Sequence, residues 1–316
     1  MMLNKLNQQL QRIMPFIAPS SVIIGVYFAS IFSQLEPFVL YIFAFMTFAG
    51  SLSLNFVALH RVILHPLSVL IALLLLHIIM PLWAWLIGAL TFPGDELTII
   101  GFVLAMIIPT GVTSFIWVSM NKGNVALTLS IILIDTILSP FLVPFTLSLF
   151  VGESIDLEVW QLMKGLLIMI VIPSIMGMLL HEWTKGKVHE VWSPRLAPFS
   201  KITLALVIMI NSAQVAPYLS NINWNLIKIA IAMFFIAGTG YLLAWFFAKS
   251  FKRENADIIS LTFSGGMRNI SVGAVIAVQY FPGPVAVPVV TGMLFQQVLA
   301  SFYSKFLQRK QHVKES

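Results

Sequence analysis

The sequence predicts an all-α integral membrane protein: ten transmembrane helices forming two inverted five-helix repeats. Three observations lead there. The 316 residues are 59% hydrophobic and 9% charged, with a mean hydropathy of +0.95. An ordinary soluble domain is about 45–50% apolar and about 25% charged. The apolar residues fall into ten runs, and the basic residues gather in alternate connections between them. A soluble enzyme could not bury so much apolar surface. The high isoelectric point does not indicate a nucleic-acid partner, because the bases are scattered among loops rather than gathered on one face. The absence of cysteine excludes disulfides, thiolate metal sites and cysteine nucleophiles.

The runs are 13–33, 38–58, 67–91, 97–118, 125–151, 159–180, 202–219, 225–248, 257–280 and 285–307. A run of about 20 residues at 1.5 Å per residue crosses a core of about 30 Å. Each run is apolar all round and does not alternate, so it reads as a helix that satisfies its own backbone hydrogen bonds in lipid. The first run follows Lys5 and Arg12 but has no small-residue cleavage site after it, so it is expected to be a retained helix.

Charge gives the orientation. With the N-terminus in the cytoplasm, the inner connections and tails carry fifteen of the 18 lysines and arginines, among them Arg61, Lys122, Lys185, Lys187, Arg195, Lys249, Lys252 and Arg253. The outer connections carry no base, but hold Glu36, Asp95, Glu96, Glu153, Asp156 and Glu158. The positive-inside rule therefore predicts a multi-pass protein of the cell membrane with both termini cytoplasmic. The polar stretch 181–201, with Pro194 and Pro198, reads as the longest inner loop.

The chain is one transmembrane domain, 1–316, and divides best after the fifth run, into 1–152 and 153–316. Five spans per half reverse the second half in the membrane, giving an inverted pair. The fourth span of each half is interrupted. The first carries Pro109-Thr-Gly-Val-Thr-Ser114, with Gly111 at its centre, and the second Ser264-Gly-Gly-Met-Arg-Asn269, with Gly265 and Gly266. Proline removes a backbone donor, and paired glycine loosens a helix. Two breaks at matching positions would leave backbone groups and helix ends free near mid-membrane, where they can hold an ion or a polar substrate.

Three ionisable residues fall at one depth. His77 lies ten residues past Leu67, Asp135 ten past Val125 and Arg268 eleven past Asp257, each from the cytoplasmic end of its span. That puts all three roughly 15–17 Å deep. A charge there costs about 2.5–3.5 kcal/mol on insertion scales, so it should face protein or water and have a partner. An Asp135–Arg268 ion pair locking two helices, or an interhelical hydrogen bond from His77, would be a purely structural use of these groups.

At these residues the chain resembles the bile acid:sodium symporter family. Pro109-Thr-Gly-Val-Thr-Ser114, Asn121-Lys-Gly-Asn-Val-Ala-Leu-Thr128 and Ser139-Pro140 resemble its fourth and fifth spans, and Gly266-Met-Arg-Asn269 its ninth-span motif. The resemblance implies a panel domain and a core domain, with the two broken helices crossing in the core. It also implies secondary transport of organic anions. At the sodium-binding positions the chain departs from the family. Where the family has Ser-Asn, it has Ser114-Phe115, and where the family has serine then threonine, it has Thr128 and Ile132. Ser264 stands for the usual glutamate, Arg268 for a glutamine and His77 for a third-span glutamine. Hard cations need oxygen donors, preferably including a carboxylate. A guanidinium about 4 Å from Na⁺ repels it by about 4 kcal/mol at an effective dielectric of 20.

The expectation is therefore a secondary active transporter that moves a small organic anion, bile-acid-like or a carboxylate or sulfonate, by alternating access. Ser114, Arg268, Asn269 and Gln297 are its expected substrate contacts. His77, Ser114, Thr128, Asp135, Ser264 and Arg268 form the ion-coupling or former sodium site. Coupling to sodium in the family manner is not expected. Asp135 or His77 would take a proton, or Arg268 would stand permanently in the cation's place. A sodium-coupled symporter with a relocated ion site is the alternative. An intramembrane enzyme, the alternative from another class, has no Gly-x-Ser-x-Gly or His-Glu-x-x-His motif to support it. The expected partners are the organic anion, membrane lipid and a coupling ion, H⁺ or Na⁺, with no nucleic acid, no cofactor and no resident metal.

Overall fold

The computed structural model of the chain describes residues 7, 9, 10, 14–54, 66–151, 158–219 and 223–315. Lys5, Arg12, Arg61, Glu153, Asp156 and the expected boundary between the halves at 152/153 lie outside the described residues. The helices are α1 (Met14–Tyr27), α2 (Ala29–Ser51), α3 (Pro66–Thr91), α4 (Glu96–Ile107), α5 (Ser114–Met120), α6 (Val125–Val151) and α7 (Val159–Trp183). Then follow α8 (Lys187–Gln214), α9 (Ala216–Leu219), α10 (Trp224–Ser250), α11 (Asn255–Gly266), α12 (Ile270–Tyr280) and α13 (Gly283–Glu315). Among the described residues there is no named strand; the single extended element is an isolated bridge between Thr110 and Arg268.

Among the described residues seven helices are long and apolar enough to cross a membrane: α2, α3, α6, α7, α8, α10 and α13. Three shorter apolar helices join them, Phe16–Tyr27, Glu96–Ile107 and Ile270–Tyr280. The chain is thus an all-helical, multi-pass membrane protein. In lipid there is no hydrophobic drive between helices, so close packing and hydrogen bonds must hold them together. A Cβ at Gly101 of α4 would come within 2.5 Å of the Val285 carbonyl of α13, so the missing side chain lets two backbones meet. Trp83 Nε1 donates to Thr239 Oγ1 at 2.8 Å, tying α3 to α10.

Local chemistry sets the helix ends. Gly94 turns the chain at φ +85°, and Asp95 then caps α4 by accepting from Thr98 N (3.1 Å) and Thr98 Oγ1 (2.7 Å). Asn223 caps α10 in the same way, from Leu226 N at 2.8 Å. Asp257, buried near the start of α11, accepts from Ser68 Oγ at 2.8 Å and Asn124 Nδ2 at 2.9 Å. Asn124 N donates to Ala256 O at 3.1 Å. This network fixes α11 against α3 and the start of α6.

Two expectations are corrected. The stretch 181–201, read as a loop, is helical from Lys187, and α8 passes through Pro194 and Pro198. The loop reading gave those prolines too much weight. Pro198 is buried, and Trp192 and Phe199 expose large apolar surface as a membrane-facing helix would. The connection expected between the first two spans is not a loop either. It is a 3-10 stretch, Ser33–Phe38, around Pro37, between the α-helical segments Ala29–Phe32 and Val39–Ser51.

α3 and α7 share a distortion. Each contains one π turn, Leu75–Ile79 and Leu167–Val171, followed by a proline, Pro81 and Pro173. A proline ring clashes with the carbonyl four residues back, here at His77 and Met169. Widening the turn at those carbonyls relieves the clash, and such turns concentrate at functional sites.

Candidate functional site

The two broken helices meet at their breaks. α4 ends at Ile107 and α5 starts at Ser114; α11 ends at Gly266 and α12 starts at Ile270. The segments between them lie antiparallel. Gly111 N donates to Met267 O at 3.0 Å, and Asn269 N donates to Pro109 O at 2.7 Å. Backbone groups freed by the interruptions thus satisfy each other, as a low-dielectric interior demands. Gly111 is required by the close approach, since a Cβ there would lie 2.9 Å from the Arg268 carbonyl. Thr110 Oγ1 adds a bond to the Ser264 carbonyl at 3.1 Å.

Gly265 and Gly266 stand directly before the second break. They are the last residues of α11, and the break begins at Met267. Their missing side chains serve packing: a Cβ at Gly265 would come within 2.6 Å of Ala244 Cβ, and one at Gly266 would strike the Tyr241 ring.

His77 and Asp135 come together beside the crossing. His77 Nε2 lies 2.7 Å from Asp135 Oδ1, and Thr110 N donates to Asp135 Oδ2 at 2.7 Å. Asp135 is fully buried and His77 nearly so. One carboxylate therefore joins the π turn of α3, the middle of α6 and the first break. Nδ1 of His77 is buried with no partner. The arrangement suits a neutral imidazole with its proton on Nε2, donating to the carboxylate.

Arg268 has the opposite situation. Its side chain is 1% exposed, and none of Nε, Nη1 or Nη2 has a hydrogen-bond partner. The Asp135–Arg268 ion pair weighed from the sequence does not form: the ion pairs among the described residues are His77–Asp135 and Arg253–Asp257. Both Asp135 oxygens are already engaged. Buried charges are ordinarily paired, which makes this guanidinium the most unusual group in the chain.

A cavity of about 210 Å³ opens beside it. Gly111, Val112 and Thr113 of the first break line it, with Arg268 and Asn269 of the second. Thr136 of α6, Ser51 of α2, Ser174 of α7, and Gln296 and Gln297 of α13 supply further polar groups. Phe43, Met46, Leu204, Ile208 and Met293 supply apolar wall. Trp117 Nε1 donates to Gln297 Oε1 at 3.3 Å, steadying that amide.

Of the residues expected from the sequence to touch substrate, Arg268, Asn269 and Gln297 line this cavity, and Ser114 does not. Ser114 and Ser264 are fully buried, each with an unpartnered hydroxyl, and Thr128 Oγ1 donates to its own helix at the Asn124 carbonyl, 3.2 Å away. Among the described residues no group of three or more His, Asp or Glu could hold a metal. The sequence reading missed Thr136, Ser174 and Gln296. Pro173 marks the distorted turn that carries Ile170 to the cavity wall, as Pro81 marks the turn that carries His77.

Paired interruptions beside a cavity with polar groups in a largely apolar wall are a feature of one class of protein, the secondary transporters. The comparisons narrow the class. Residues 37–222 match the Sodium Bile acid symporter family, and the chain belongs to that family. It is 53% identical over 296 residues to a Bacillus subtilis (strain 168) protein named "Uncharacterized protein YbaS", covering 94% of this chain and 97% of that one. It is 25% identical to "Uncharacterized sodium-dependent transporter YocS" of the same organism, covering 92% and 90%. It is also 25% identical to "Probable sodium/metabolite cotransporter BASS1, chloroplastic" of Oryza sativa subsp. japonica, covering 76% and 58%. Family and relatives make the chain a transporter rather than an enzyme.

Proposed function

We propose that the protein carries a small organic anion across the cell membrane by alternating access. The observation that carries this reading is Arg268, which is among the residues lining the cavity beside the crossing and keeps its guanidinium buried and unpartnered. A carboxylate or sulfonate satisfies it through a bidentate contact. Asn269 and Gln297 orient the head group, and the apolar wall takes the remainder of the substrate.

In this reading the chain has ten spans in two inverted halves, 1–152 and 153–316, with both termini in the cytoplasm. The crossing helices belong to a core domain. α2, α7 and α8 belong to the panel facing it across the cavity, and motion between the two bodies exposes the cavity to each side in turn.

The coupling ion in this reading is a proton, taken at His77–Asp135. A second proton on His77 gives Nδ1 an N–H with no acceptor in the present arrangement. Proton binding therefore favours a different arrangement of α3, α6 and the first break. Arg268 meanwhile occupies the neighbourhood in which a sodium ion would need oxygen ligands. The reading of Na⁺ as the coupling ion at a relocated site draws support from the relatives named as sodium cotransporters, and from the buried, unpartnered hydroxyls of Ser114 and Ser264.

Flux of a small carboxylate into proteoliposomes under imposed H⁺ or Na⁺ gradients tests the proposal. Proton-driven, saturable uptake with counterflow is expected. Uptake fully dependent on sodium would defeat the proton reading, and single-channel currents would defeat the carrier. In R268Q/S264E, sodium affinity should rise; no gain would count against Arg268 as a stand-in for the cation.

A further inference from the structure

At the far end of the molecule from the outer loops, α10 and α13 end side by side. They run parallel. Tyr303 Oη donates to the Gly238 carbonyl at 2.7 Å, and one turn or two further on Trp245 packs edge-on against Phe306, with centroids 5.8 Å apart. Beyond that contact two cations share one ring. Lys310 Nζ lies 3.8 Å from the Trp245 centroid and Lys249 Nζ 5.2 Å from it; Lys310 also sits 4.7 Å from the Phe306 centroid. Cation–π attraction orients each ammonium, but it neutralises neither. Among the described residues neither lysine is in an ion pair; the ion pairs there are elsewhere, at His77–Asp135 and Arg253–Asp257. Two like charges held on one indole repel each other, so the pair gains from an anion placed between them.

The surface directly deeper along the same two helices is apolar and exposed, with Leu242 and Phe246 on α10 and Val298 and Phe302 on α13. A free inorganic anion would make no use of that surface. A phospholipid uses both parts, with its phosphate between the ammoniums and its acyl chains along the groove. We propose that Lys249, Lys310 and Trp245 form a binding site for a phospholipid with an anionic head group, of the phosphatidylglycerol type. A net negative head group is required because a zwitterionic one brings its own cation to a site that already holds two. The site is independent of the substrate cavity and of the coupling ion.

Native mass spectrometry of the purified full-length protein, titrated with phosphatidylglycerol or phosphatidylcholine of matched chains, tests it. A juxtamembrane lysine strengthens anionic-lipid binding about fivefold, so two predict a preference of roughly thirtyfold. K249Q/K310Q should reduce retention of phosphatidylglycerol to the level of phosphatidylcholine. K249R/K310R should keep the preference. K164Q should leave it unchanged, because Lys164 stands alone over Trp160 at 5.0 Å. On the unaltered protein the preference should fade as salt approaches ~1 M, where screening is nearly complete. Equal retention of the two lipids, a preference indifferent to salt, or full competition by soluble glycerol phosphate would overturn the proposal.

Discussion

The His77–Asp135–Thr110 junction makes a quantitative prediction through a double-mutant cycle. In D135A two buried donors, His77 Nε2 and Thr110 N, lose their shared acceptor. Each buried donor left without an acceptor costs about 1–3 kcal/mol, so the two together cost roughly 2–6 kcal/mol. In H77A the carboxylate stays buried with Thr110 N as its one remaining donor, and a lost hydrogen bond to a charged group costs about 1.5–3 kcal/mol. In the double variant the carboxylate and the imidazole vanish together, leaving only the Thr110 N–H without a partner, at about 1–3 kcal/mol. The double variant should therefore be less destabilised than the sum of the singles by roughly 2 kcal/mol or more. Unfolding of the purified variants in one detergent, followed by a tryptophan signal, measures all four corners. Additivity within about 0.5 kcal/mol would mean that the two groups are not coupled, and would refute the junction.

Other predictions follow from neighbouring residues. Arg268→Met should raise the thermal stability of the ligand-free protein, because it removes an unpartnered buried charge, while abolishing the stabilisation by small carboxylates that the proposed function predicts for the native protein. Gly111→Ala should abolish transport, since the new Cβ would lie 2.9 Å from the Arg268 carbonyl and prise the breaks apart. Gly50→Ala, with nothing within 4 Å of its Cβ, should be neutral or stabilising by up to ~1 kcal/mol in the same unfolding assay. Thr110→Val should cost about 1 kcal/mol through its lost bond to the Ser264 carbonyl, with a smaller effect on flux than Gly111→Ala.

The parts of this site that could be read from the sequence were those written along a single helix. Pro109 and Gly111 announce the first interruption because their chemistry acts on their own backbone. The shared depth of His77 and Asp135 is a matter of counting residues from a membrane face. Which group pairs with which depends on how helices rotate about their axes, and no count along the chain contains that. The shared depth therefore allowed a pairing of Asp135 with Arg268, whereas the partner of Asp135 is His77. Gly265 and Gly266 have a further reason for their small size that their own helix does not show, since Tyr241 and Ala244 lie on another helix. Pro81 did carry a signal. A proline four residues after an intramembrane histidine marks a turn that must open at that histidine, and the same logic applies at Pro173.

The bonds that clasp the two interruptions together come from main-chain atoms, Gly111 N to Met267 O and Asn269 N to Pro109 O. Proline deletes such a bond and a side chain at Gly111 forces it open, but changes to the other side chains leave the bonding atoms in place. The frame of the crossing is thereby decoupled from the identity of the side chains around it. An acid at position 264 or an amide at position 268 would leave the atoms of this clasp in place.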